Sequence, residues 1–108
     1  MFLSLKKTGT TGIALAVALS AAAAAAQSGY DPVTGLFVAP GHRLVAAHCT
    51  ACHSARLITQ QGATEQGWRE MIEWMQEEQG LWPIDEASLA QIIAYLATHY
   101  GPDRPHWK

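Results

Sequence analysis

Cysteine is scarce in this chain of 108 residues: there are two, and both fall within one five-residue stretch, Cys49-Thr50-Ala51-Cys52-His53. A disulfide framework therefore has no cysteines to build from. Positive charge is scarce too. Seven Lys and Arg face nine Asp and Glu with no basic run or stripe, which excludes a nucleic-acid binder. No internal repeat is evident, and no series of alternating segments reads as strands. A Ser/His/Asp arrangement and a glycine-rich phosphate loop are both missing. The carboxylates gather on one helix face, the pattern of a solvated surface rather than of a paired acid/base site. The longest apolar run, Gly12 to Ala26, is about fifteen residues, short of a comfortable membrane span.

That run follows Lys6 and Lys7 and ends in Ala24-Ala25-Ala26 ahead of Gln27, the pattern of a removable secretory signal. Residues 1–26 are expected to be cleaved, leaving an exported piece of 82 residues; an uncleaved anchor is the alternative. The exported piece keeps Arg43, Arg56, Arg69, Arg104 and Lys108 against all nine acids, a net charge of −4 with His neutral. Such a surface suits a carrier that docks on a basic partner. A chain this short is marginal on its own apolar core.

In an exported chain, Cys49-Thr50-Ala51-Cys52-His53 has the pattern of a covalent c-type haem attachment site. Two thiols three residues apart lie on one side of a helical turn, where each can add to a porphyrin vinyl group. His53, four residues from Cys49, then reaches the iron. Blander assignments fit less well. A disulfide oxidoreductase needs a βαβ frame. A zinc site using Cys49, Cys52, His53 and His48 or His42 lacks a second pair at finger spacing. A structural disulfide is poorly held across Cys-x-x-Cys on a helix. A buried porphyrin would supply the missing apolar area, and two covalent links would restrain the unfolded chain.

The rest reads as helices. Residues 27–39, with Gly29, Asp31-Pro32 and Gly35, form a turn-rich, extended N-terminal arm that packs on the domain or on a partner, or else hangs loose. A first helix is expected from near Pro40 into the motif. From His53 to Gly67 the periodicity fades into a polar loop, with Thr64 as a cap for the next helix. This second helix, Glu65 to Gln79, carries Trp68, Met71, Ile72 and Met75 on one face and Glu70, Glu73 and Glu77 on the other, with Gly80 as its stop. A third follows Asp85 as N-cap and runs to about Tyr100, with Leu89, Ile92, Ile93 and Leu96 on its apolar face. Residues 103–108 are a polar tail.

An iron held by His53 alone would be open to ligands, and a thioether in the sixth position closes it and raises the potential. Met75 is the favoured donor and Met71 the second choice, although a Met on an apolar face is ordinarily a packing residue. Ligation by His42, His48 or His99 is the alternative. Arg56 could pair with a haem propionate or face a docking partner, or be a solvated surface Arg. Trp68 and Tyr95 could line the porphyrin edge, though aromatics so placed are core residues by default.

With this motif, Gly41 eight residues and Val45 four residues before Cys49, and Ile92-Ile93-Ala94-Tyr95-Leu96 near the end, the chain resembles a small class I cytochrome c. The resemblance implies an all-α fold of three main helices around one covalent haem, with residues 40–102 as the cytochrome domain and the first helix packed on the last. One departure stands out: the proline that usually follows the motif, and whose carbonyl orients the proximal His, is absent between His53 and Pro83. A narrower likeness runs through His48 to Ser54, Arg56-Leu57, Gln60-Gln61-Gly62, Trp68 with Met75 seven later, and Tyr95 to Pro102. It resembles the monohaem subunits of periplasmic sulfite dehydrogenases. That likeness implies a periplasmic electron-transfer subunit, not an enzyme on its own. It would form a heterodimer with a molybdenum-cofactor subunit that oxidises sulfite, and would pass electrons to a soluble cytochrome c. A free-standing diffusible cytochrome is the alternative.

Overall fold

Two side chains set the starts of the long helices. The Thr64 hydroxyl accepts from the Gly67 amide at 3.0 Å, and a carboxylate oxygen of Asp85 accepts from the Ser88 amide at 2.9 Å. Each satisfies an amide that the first turn leaves without a partner. In the computed structural model, which describes residues 29–107, four helices follow one another. They are α1 (His42–Cys49), α2 (Arg56–Thr59), α3 (Glu65–Glu78) and α4 (Glu86–His99). The chain is mostly helical, in keeping with an all-α fold. The expected signal, residues 1–26, lies outside the described residues. Among the described residues no helix is long and apolar enough to cross a membrane.

α3 and α4 fall where periodicity and caps put them, within a residue at each end. α1 begins two residues after Pro40, at His42, behind an N-cap Gly41 whose φ of +97° is a left-handed conformation natural to glycine. α2 is an addition: a single turn inside the stretch expected to be a polar loop, with Ile58 and Thr59 buried. Four residues are too few to show a helical period.

α4 is the spine. α1 and α3 both pack against it and do not pack against each other. Ile92, Ile93, Tyr95 and Leu96 of α4 are buried with Val45, Trp68 and Ile72. The first helix therefore does meet the last, with Gly41 against Gln91 and Tyr95, and Val45 fully buried. Burial of these side chains stabilises the fold by roughly 1.5–3 kcal/mol for each large apolar one.

The arm is packed rather than loose. It folds into a turn closed by Asp31 N–H to Leu36 O and Val38 N–H to Gly29 O, both 2.8 Å, with a single antiparallel bridge between Tyr30 and Phe37. Leu36 is fully buried. Two hydroxyls from the far end of the chain hold Phe37: Tyr95 donates to its carbonyl at 2.6 Å, and its amide donates to Tyr100 at 3.1 Å. The tail packs through His106, whose ring stacks on Phe37 with centroids 3.9 Å apart. Trp107 stays exposed beneath the Arg104 guanidinium.

Candidate functional site

Because α1 and α3 share α4 but leave each other apart, a space opens between them. It is a cleft of ≈ 400 Å³. One wall is the end of α1 and the loop behind it, bearing Cys49, Cys52 and His53; Leu57, Ile58 and Gln61 of and beyond α2 continue it. The opposite wall is α3, with Trp68, Met71, Ile72, Trp74 and Met75, and Leu96 of α4 closes the floor. A smaller space of ≈ 40 Å³ adjoins it, bounded by His48, Cys49, Cys52, His53, Met75, Gln79 and Leu81. A more open depression of ≈ 470 Å³ lies along the motif, bounded by Val33, Thr34, Cys52 and His53 among others.

Cys49 is buried, and that burial pushes its thiol up to about 11. The neutral thiol is the form favoured in apolar surroundings. Cys52 is exposed, and neither sulfur is bonded to the other. His53 Nδ1 lies 3.0 Å from the Ser54 carbonyl. With the proton on Nδ1 donated to that oxygen, the Nε2 lone pair is left for another partner. The carbonyl within hydrogen-bond reach of His53 is thus that of its neighbour Ser54. The turn that produces this contact also lets Ser54 Oγ accept from the Arg56 amide at 3.2 Å, at the start of α2.

Both candidate thioethers line the cleft, but Met75 alone also bounds the small space shared with Cys49, Cys52 and His53. Of the alternative imidazoles, His42 sits beside the Ala39 carbonyl (3.2 Å) and Asp31 (3.9 Å). His99 faces His106 at 3.3 Å, and His48 accepts from Trp82. None of the three lines the large cleft. Trp68 does, with its indole N–H donated to the Tyr100 carbonyl at 2.8 Å, whereas Tyr95 faces the arm. Arg56 is exposed and is not part of the lining. Ile58 and Gln79 line the cleft without having been singled out in the sequence, and Leu57 and Gln61 entered only as parts of the narrower likeness, with no role at a site. Polar Gln and a one-turn helix carry no periodic signal that would have found them.

The donor set suits a flat apolar group better than a bare ion. Among the described residues no three His, Cys, Asp or Glu side chains are placed to hold a metal ion. What the cleft offers instead is two thiols and one imidazole on one side, a thioether on the other, and apolar side chains between. The residue types present fit a covalently held haem: Cys49 and Cys52 would carry the thioether links, and His53 with Met75 or Met71 would be the axial ligands. Compared with protein-family models, with characterised proteins and with solved structures, the chain matches none.

Proposed function

We propose that this chain is a periplasmic monohaem c-type cytochrome of the class I kind, an electron carrier with no substrate chemistry of its own. The observation that supports this most is the cleft itself, with Cys49, Cys52 and His53 facing Met75 across an apolar space. Cys49 and Cys52 would hold the haem by thioether links, His53 would be one axial ligand, and Met75 the other, with Met71 as second choice. A haem bound there supplies reversible one-electron exchange. The chain's residues do the rest. The Ser54 carbonyl fixes the His53 tautomer and ring. Trp68, Ile72 and Leu96 keep water from the interior, which with a thioether ligand favours a raised potential. Arg56 is exposed beside the motif and outside the cleft lining, which favours a partner surface over the cleft as its place of action.

The partner we propose is a molybdenum-cofactor subunit that oxidises sulfite, in a heterodimer, with a soluble cytochrome c as the onward acceptor. Trp74 and Leu57, both at the cleft, are 53% and 52% exposed, and Trp82 is 42% exposed. Apolar surface at the point where electrons must leave favours a lasting interface. Exposed Glu70, Glu73, Glu77 and Glu78 on α3 favour the other class, a diffusible cytochrome that meets basic partners briefly. Co-purification from the native periplasm followed by a sulfite-dependent haem reduction assay separates the two. Under the subunit assignment the chain elutes with a molybdenum protein and is reduced on adding sulfite. A chain that elutes alone and stays oxidised belongs to the diffusible class.

A further inference from the structure

With α1 and α3 each resting on α4 and not on one another, direct packing of the two walls does not set the width of the cleft. A hydrogen bond crosses between them at one end. Trp82 Nε1 donates to His48 Nδ1 at 2.9 Å, with the rings 5.8 Å apart and tilted by 50°. His48 is the residue immediately before Cys49. Trp82 belongs to the segment that leaves α3, and that segment is wound back onto Met75. Gly80, at φ +76°, reverses the chain, and the amides of Gln79 and Leu81 both donate to the Met75 carbonyl at 3.0 Å. Gln76 Nε2 then reaches the Trp82 carbonyl at 3.4 Å. The ≈ 40 Å³ space enclosed at this end has Met75 and Leu81 on one side and His48, Cys49 and His53 on the other.

We infer that Trp82 is a positioning residue for Met75, acting through His48. This rests on the proposed function, with Met75 as the sixth ligand. The indole–imidazole bond fastens the segment that carries the Met75 carbonyl to the end of α1 that carries the motif, so the two sides of the cleft hold a fixed separation. Trp82 keeps much of its ring in solvent, so burial alone does not account for its place. Its N–H is spent on an imidazole rather than on water, and that bond fixes the His48 proton on Nε2. Opening this end would let the thioether swing away and admit a competing ligand to the iron.

The test uses holo-protein with covalent haem verified in every sample. Trp82→Phe keeps the aromatic ring and removes the donor; His48→Ala removes the acceptor; the double variant removes both. Two readouts track the thioether directly: the far-red charge-transfer band of the oxidised protein, and the affinity for added imidazole, which must displace Met75. Loss of one hydrogen bond predicts a weakened band and imidazole binding roughly five-fold tighter in each single variant. The double variant should go no further than either single one, because both remove the same bond. His48→Gln, which keeps an acceptor, should lie nearer the unmutated protein. Imidazole affinity within about two-fold of the unmutated protein in Trp82→Phe overturns the inference. A double variant whose effect is the sum of the singles overturns it too, since Trp82 would then act by packing. If Trp82→Phe does not accumulate, His48→Ala decides by the same readouts. Covalent haem with no thioether band in the unmutated chain removes Met75 from the iron, and the inference with it. An unmutated chain without covalent haem contradicts the proposed function itself.

Discussion

A methyl group at Gly41 would stand 2.9 Å from the Cβ of Tyr95 and 3.0 Å from the Gln91 carbonyl oxygen. The start of α1 lies so close on α4 that only a residue without a side chain fits, and φ there is already left-handed. Gly41→Ala combines backbone strain with a clash against rigid groups. It should cost about 3 kcal/mol of stability, read as a lower denaturant midpoint of the holo-protein. A midpoint unchanged from the parent would mean that α1 does not sit on α4 in this way.

The two methionines of α3 should behave differently. Leu replaces Met with nearly the same volume, so packing is preserved within about 1.5 kcal/mol at either position. Met75→Leu should abolish the far-red charge-transfer band and lower the reduction potential; Met71→Leu should leave both in place. The opposite pattern would move the sixth ligand to Met71.

The arm is held to the body by the Tyr95 hydroxyl, whose hydrogen bond to the Phe37 carbonyl measures 2.6 Å. Burial pushes that hydroxyl's pKa far up, so it stays a proton donor. Tyr95→Phe should cost about 1 kcal/mol and raise hydrogen exchange in residues 29–39 before the rest of the fold responds. Exchange that stays uniform across the chain would count against this hold.

His99 has its pKa lowered, first by desolvation and then by the neighbouring His106. A depressed histidine binds its proton more weakly folded than unfolded. Its contribution to stability is complete above the ordinary value of about 6.5 and is lost as pH falls through the lowered one. Holo-protein stability should therefore fall on acidification below about pH 6.5, and His99→Gln should flatten that slope. A variant with an unchanged slope would assign the acid sensitivity elsewhere.

Much of this architecture is written locally. Thr64, Asp85 and Gly80 mark the ends of α3 and α4 through interactions spanning only a few residues, and the apolar stripes between them have the helical period. The five-residue motif is equally local, and Gly41, eight residues before Cys49, lies against Gln91 and Tyr95 of α4. Other features depend on distance along the chain. Phe37 is held by hydroxyls 58 and 63 residues away, and nothing in the turn-rich sequence around it announces those partners. His106 stacks on Phe37 across a comparable separation, so the tail's contact comes from a histidine rather than from Trp107. α2 is a single turn, and the backbone contact of His53 depends on how the chain bends at Ser54, which residue types alone do not fix.

The most direct measurement is the mass and absorbance of the exported chain, purified after expression beside a working haem-ligation system. The chain should gain the mass of one haem, retain it under denaturing conditions, and show a Soret band. A Cys49→Ser and Cys52→Ser double variant should gain neither mass nor band and should lose most of its helical circular dichroism. A purified chain with two free thiols, no Soret band and an intact cooperative fold would contradict the account.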